Sequence, residues 1–253
     1  MDNNTLGGIL SLFPTISLEE MARVRLMNRT DTKYVTTLAQ LERLLRRAAH
    51  DYRVQQIAGQ LNLPYYTCYF DTPAADMFAE HQRGKKTRQK IRFREYEQTG
   101  TAFLEIKDKN NRGRTAKRRV AAREGQDIAT YADFIRDNSR YSPDSLQPRL
   151  QNHFRRITLV NNALTERLTI DTQLTFRNLT TGLEYTPDGL VIIELKRDGL
   201  VASPILPLLR ELHIRPCSFS KYCVGMVLTD HDIKQNRMKA RLRQIRHILS
   251  STN

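Results

Sequence analysis

The chain has 253 residues, 40% of them hydrophobic, with a mean hydropathy of −0.55; that suffices for a core, while no apolar run nears the ~18–20 residues of a membrane helix. Cys68, Cys217 and Cys223 are too few and too scattered for a disulfide framework or a zinc site, and Met1-Asp2-Asn3-Asn4 lacks the charge of a signal peptide, so the expected setting is the cytoplasm, with the inner face of a membrane as a further location. A net charge of +14 and a pI near 10.0 call for an anionic partner, and the absence of tryptophan turns the expectation from nucleic-acid bases toward phosphate.

In chain order, Ser17-Leu18-Glu19-Glu20 has the spacing of a capping box and predicts a short helix running to about Met27. Residues 29–36 alternate as a strand with Arg29, Asp31 and Lys33 on one face. Leu41, Leu44, Leu45 and Ala48 recur at helical spacing, predicting an amphipathic helix over 38–51. Pro64 to Asp71 is aromatic and β-prone, and Asp71-Thr72-Pro73 ends it and opens a short helix holding Met77 and Phe78.

The stretch 88–107 predicts a hairpin turning at Gln98–Thr101. Arg88, Lys90, Arg92 and Arg94 share one face of its first strand and Ile91 and Phe93 the other; Glu105 and Lys107 oppose Leu104 and Ile106 in the second. Thr115 to Val120 starts another strand, with Lys117 and Arg119 on one face. Residues 123–150 are polar with helical fragments around Tyr131–Asp137. Strands follow at 150–160, 167–177 and 190–196. The second alternates strictly, Leu168, Ile170, Thr172, Leu174 and Phe176 against Arg167, Thr169, Asp171 and Gln173. The third sets Val191, Ile193 and Leu195 against Glu194 and Lys196. Helices are expected at 204–214, from Ser218-Phe219-Ser220-Lys221-Tyr222 to about Val227, and over 229–253 as a basic C-terminal helix. One domain, 1–253 with a core near 20–228, accounts for the chain.

Cation rows opposite apolar rows cannot be buried in an ordinary core, because unpaired charge is too costly there. On an open sheet they would face water. Their repetition in many strands makes a second arrangement attractive, an α+β fold in which the sheet closes into a barrel with a basic lumen and an apolar outside covered by helices. Such a lumen would hold a compact polyanion on arginine forks, and its few carboxylates would suit a divalent cation bridging phosphates.

The ordered set Lys33-Tyr34, Tyr69-Phe70-Asp71-Thr72, Arg92-Phe93-Arg94, Glu105-Ile106-Lys107, Arg156, Arg167 with Asp171-Thr172, Glu194-Leu195-Lys196 and Phe219-Ser220-Lys221-Tyr222 resembles the vacuolar transporter chaperone (VTC) domain, the polyphosphate polymerase branch of the triphosphate tunnel (CYTH-like) metalloenzymes. The resemblance spans roughly residues 20–228. It implies a closed eight-stranded antiparallel tunnel with plugging and flanking helices, and a metal-dependent phosphotransferase that moves the γ-phosphoryl group of ATP onto polyphosphate. Carried over by position, Arg92, Arg94, Lys107 and Lys221 would be catalytic. Lys33, Lys90, Lys117, Arg119, Arg156, Arg167, Lys196 and Ser220 would bind substrate, with Arg155 the alternative to Arg156. Glu194 would hold Mn2+ or Mg2+. The implied partners are ATP or another triphosphate, polyphosphate, and a separate membrane protein for translocation, with no specific nucleic acid. Tunnel hydrolases and CYTH cyclases open with Glu-x-Glu-x-Lys, where this chain has Arg29, Asp31 and Lys33. The lost carboxylate weakens two-metal activation of water and favours transfer to a phosphate acceptor, while hydrolysis by a tunnel triphosphatase and non-catalytic binding of polyphosphate or nucleotide stay open.

Overall fold

Period-two alternation over much of the chain resolves into one large antiparallel sheet with helices on its faces. The structure, a computed structural model, describes residues 3–22, 24, 29–112, 114–123, 125–199 and 201–250. In chain order the elements are α1 (Asn3–Leu10), β1 (Thr15–Ile16), α2 (Leu18–Met21), β2 (Arg29–Thr37), α3 (Leu38–Ala48), β3 (Tyr52–Gln55), β4 (Asn62–Asp71), α4 (Asp76–Gln82), β5 (Arg88–Tyr96), β6 (Thr101–Lys109) and β7 (Thr115–Ala122). They continue as α5 (Ala132–Asn138), β8 (Gln147–Asn161), β9 (Glu166–Asn178), β10 (Glu184–Tyr185), β11 (Leu190–Asp198), α6 (Ile205–Glu211), α7 (Lys221–Thr229) and α8 (Lys239–Ser250).

The capping box at Ser17 forms as its spacing predicts: Glu20 N donates to Ser17 Oγ at 3.2 Å and Ser17 N to Glu20 Oε2 at 2.8 Å. The expected run of that helix toward Met27, and the side chain of Arg29, lie outside the described residues. The helix expected from Pro73 begins at Asp76, after Ala75 in the left-handed region. The C-terminal helix begins at Lys239, behind a 3-10 turn over Asn236–Met238, and not at residue 229. Among the described residues no helix is long and apolar enough to cross a membrane.

The eight principal strands run in the order β2-β11-β9-β8-β4-β5-β6-β7. A closed barrel does not form. Among the described residues no ladder joins β2 to β7, so the sheet is a curved trough with two edges. The reason lies in β7, Thr-Ala-Lys-Arg-Arg-Val-Ala-Ala, which is exposed along most of its length and has little apolar surface to gain by pairing. Yet Thr30, Lys33, Lys109 and Thr115 line one cleft, so the two ends of the sheet curl toward each other.

The convex side carries the apolar rows. Leu159, Leu168, Ile170, Val191, Ile193 and Leu195 pack under α1, α3 and α6. On the other half, Ile91, Leu104 and Ile106 pack with Met77 and Ile135. The strict alternation read in β9 does not survive intact. Gln173 adopts φ 51, opposite a register shift between His153 and Arg155. The extra residue reverses the facing, so that Leu168 and Ile170 are convex while Leu174 and Phe176 join Val35, Leu150, Phe154 and Ile192 on the concave side, against α7.

Thus α7 fills the apolar part of the trough and leaves the rest to the cations. Gly225 sets its depth. A Cβ there would stand 2.6 Å from Leu150 Cδ2 and from Phe176 Cδ1. Gly225→Ala is expected to cost about 1–3 kcal/mol by overpacking, read as a lower urea midpoint; an unchanged midpoint would mean that α7 is free to shift outward.

Candidate functional site

The polar row of β5 faces its counterpart in β6. Lys90 lies opposite Lys107, which lies opposite Lys117 of β7; Arg92 lies opposite Glu105, which lies opposite Arg119. Glu105 is fully buried and binds Arg92, with Nη2 at 2.6 Å and Nε at 2.7 Å, while Lys117 pairs with its other oxygen. Burial alone would raise the Glu105 pKa, but Arg92, Arg94 and Lys117 outweigh it and hold the carboxyl well below the usual range. Lys107 is pushed well below its ordinary value, first by the Arg92 charge and then by burial. Burial, with Lys33, Arg88 and Arg92 nearby, brings Lys90 down to about 8.

The opposite wall is built from β8, β9, β11 and the start of α7. Arg156 makes a fork on Asp171, at 2.6 and 2.8 Å. Lys221 Nζ lies 2.6 Å from Asp171 Oδ2, as an ion pair outside good hydrogen-bond alignment. Burial pushes Lys221 well below its ordinary value, and Arg156 adds to the effect. Asp171 is held ionised by Arg156 and Lys221 against its own burial. Glu194 pairs with Lys196, and Lys33 Nζ lies 3.8 Å from its other oxygen. Lys33 donates to the Phe219 carbonyl at 3.0 Å and Lys90 to Ser220 Oγ at 3.2 Å, and Ser220 also caps α7. These bonds join the β2 and β5 walls to the head of α7.

Aromatic rings take the place of water beneath several of these cations. Arg156 lies over Tyr65 and Phe154 with 5.0 and 5.3 Å to the ring centres, Arg94 over the same rings at 5.9 and 6.0 Å, and Lys221 against Phe154. Burial, Arg92 and Arg156 lower the Arg94 pKa, although an arginine so placed still carries its charge at neutral pH.

The sequence-read residues therefore converge on the concave face. Arg156 is the inward member of its pair; Arg155 turns away to donate to the Asn62 carbonyl at 2.5 Å. Arg167 stands opposite Lys196 in register. Lys117 and Arg119 sit at the open edge, Arg119 exposed and over Phe103 at 4.2 Å. The reading missed three residues. Asp171 is a counter-ion. His81 lines the cleft, held neutral by burial and by Lys90, Arg88, Arg241 and Lys33, which take its pKa to about 2. Asp71 is fully buried and accepts from Thr72 N, Met77 N, Phe78 N and Tyr222 Oη at 2.6–3.0 Å, tying β4, α4 and α7 together. A strand-ending aspartate two residues before Pro73 was the available signal for it.

The open end of the trough is a cleft of about 1480 Å³ that includes Lys33, Arg88, Lys90 and Glu194. Among the described residues no group of three or more His, Cys, Asp or Glu could hold a metal ion. Glu194 is ionised, against the burial that would raise its pKa, and one of its oxygens is beyond hydrogen-bond reach of Lys33. Asp31 lines the same cleft, and two such carboxylates would fit Mg2+ or Mn2+ that takes its other ligands from phosphate and water, without making a resident cage.

The VTC-domain family model matches residues 28–229, which include both walls. The chain belongs to the VTC-domain family. The fold of this VTC domain is similar to that of a putative adenylate cyclase from Bacillus halodurans, at 15% identity and a TM-score of 0.50, over 77% of this chain and 96% of that one. It is also similar to a protein of Pyrococcus horikoshii (13%, TM-score 0.42, covering 79% and 98%) and to a putative adenylyl cyclase from Hippeastrum described as having a dominant triphosphatase activity (14%, TM-score 0.46, covering 80% and 97%). At these identities the likeness is one of fold alone. No curated protein sequence matches the chain.

Lys90 makes the site pH-sensitive in a stated direction. A bound anion raises its pKa above the value of about 8 that it has without one. Through Lys90, triphosphate affinity then falls as pH rises from about 8 toward the bound-state value, because the complex holds a proton that the free protein has lost. Calorimetry at pH 8.5 in buffers of different ionisation enthalpy should register net proton uptake on tripolyphosphate binding; no uptake would mean that the anion sits away from Lys90.

Proposed function

We propose that this VTC domain transfers the γ-phosphoryl group of ATP to the end of a polyphosphate chain and releases ADP. The observation that carries the reading is the crowding of Arg92, Arg94, Lys107, Arg156 and Lys221 on one concave face, with Glu105 and Asp171 the carboxylates paired to them among the described residues. Charge arranged so closely is complementary to a chain of phosphates. Phosphoryl transfer needs alignment and charge neutralisation, and no protein nucleophile. In this reading Arg92 and Arg94 grip the transferred group, and Lys107 and Lys221 neutralise the oxygens on either side. Lys33, Lys90, Arg156 and Ser220 align donor and acceptor. Lys196 and Arg167 hold the wall behind Glu194, and Lys117 and Arg119 receive the chain at the open edge. Mn2+ or Mg2+ held by Glu194 would neutralise phosphate oxygens.

A second reading, hydrolysis of a triphosphate, draws on the adjacent pairing of Lys33 with Glu194 and of Asp31 with Lys196, which sets two carboxylates along one wall of the cleft. The replacement of the first carboxylate of the hydrolase pattern by Arg29 supports transfer instead. Incubation with ATP and Mn2+, with polyphosphate, ADP and free phosphate measured together, separates the readings. Polymer with ADP supports transfer, free phosphate without polymer supports hydrolysis, and no turnover with tight binding leaves a binding module.

Two variants test the assigned roles. Glu194→Gln is expected to lower turnover at least tenfold and flatten its Mn2+ dependence, while metal-free triphosphate binding stays equal or tightens. Lys221→Ala is expected to weaken triphosphate binding about tenfold or more, with or without metal, as for a lost charge-assisted contact. Equal loss of metal-free binding in both would make Glu194 a structural partner of the lysines.

A further inference from the structure

The segment 230–250 lies beyond the stretch matched by the family model, yet it builds one lip of the cleft. Arg237 and Arg241 come from it and line the opening. From there the surface runs on into a groove of about 210 Å³ walled by Gln82, Arg83, Lys234 and Arg237, and Gln82 and Arg237 belong to cleft and groove alike. Arg83 and Lys234 also border a further depression of about 770 Å³.

The lip is tied down. Arg237 Nη1 donates to the Arg83 carbonyl at 2.7 Å, and Gln82 Nε2 donates to the Lys234 carbonyl at 2.6 Å. Met238, beside Arg237, is buried in the core under α7 and α8. The acceptor for Arg237 is a backbone carbonyl, which fixes its guanidinium without cancelling the charge, and the Gln82 bond holds the Lys234 backbone in place. The result is a file of cations leading out of the cleft along the end of α4.

We propose that this lip binds the part of a linear inorganic polyphosphate chain that extends past the cleft, and so makes the domain prefer long chains to triphosphate. The inference rests on the phosphate-binding reading of the cleft. A file of cations gains affinity with each phosphate it neutralises, and a ligand too short to reach it gains nothing. Among the described residues no aromatic side chain lines the groove, although Phe78 and Tyr141 line the adjoining depression; the groove itself therefore offers no stacking platform, and an inorganic chain suits it better than RNA.

The test compares binding of tripolyphosphate, long-chain inorganic polyphosphate and poly(U) RNA to the full chain. The variants are the double substitution Arg83→Gln, Lys234→Gln, which leaves the cleft lining untouched, and the single substitution Arg83→Glu. Arg83 is exposed, so the single variant keeps the test alive if the double one does not fold. The expected result is tripolyphosphate affinity within about twofold of the parent, with long-chain affinity down tenfold or more. The slope of log affinity against log salt should shrink by about 1.4 for the double variant, at roughly 0.7 per cation removed. Parallel loss for tripolyphosphate and long chains would overturn the proposal, as would no loss for long chains or a loss for poly(U) as large as that for polyphosphate. A parent protein that binds neither phosphate ligand would instead overturn the reading of the cleft itself.

Discussion

The structure depends on how a few carboxylates hold a larger number of cations on one concave face. Glu105, Asp171 and Glu194 each hold two cations, and each stays ionised against burial because of those cations. Among the described residues the cations on this face outnumber these carboxylates, and burial together with that crowding lowers the lysine pKa values. Lys90 carries its proton at neutral pH with a pKa near 8 where 10.5 is ordinary, a penalty on the order of 3 kcal/mol in the folded state. On the proposed reading, a bound phosphate chain would relieve that cost, and the site would be an electrostatic complement to phosphate before any substrate arrives.

Holding like charges together requires a stiff frame, and α7 supplies much of it. Its buried face packs against β8 and β9, Gly225 lets it approach closely, and the bond from Tyr222 to Asp71 locks its first turn to β4 and α4. Because Ser220 and Lys221 sit at that first turn, the apolar packing of one helix fixes the position of two polar groups of the site. The same helix end closes the loop from β2 through Phe219 and from β5 through Ser220. Core packing and charge placement are one arrangement here, separated only by the turn of a helix.

Much of this was legible in the sequence, for physical reasons that differ by element. The hairpin over 88–109 could be read because each side chain in a regular strand alternates without interruption, and Arg88, Lys90, Arg92 and Arg94 do share a face. Strand β11 was legible on the same ground. Strand β9 was not, since a left-handed residue at Gln173 leaves the apolar letters in step while turning the backbone beneath them. Barrel closure was beyond reach because it depends on whether two edge strands far apart in sequence meet, and β7 offers few apolar residues to draw them together. Asp171 was seen as part of a motif and not as a counter-ion, because the partners that define it come from β8 and α7. Asp71 is a similar case: its donors from α4 and α7 are set by tertiary placement alone.

The seam between β2 and β7 changes what kind of guest the trough can take. A closed ring admits a polymer only by its ends, so capture depends on the number of chain termini and a chain capped at both ends is shut out. Here no ladder joins β2 to β7 among the described residues, although Pro216 bridges Tyr34 and Cys217 N donates to the Lys33 carbonyl on the β2 side; on the proposed reading, the rest of that flank would admit a chain from the side. Under that reading interior segments would compete with termini for the same cations, and a chain would leave without being drawn back through its whole length. The topology of one edge thus bears on whether successive encounters with a polymer act at its tip or along its body.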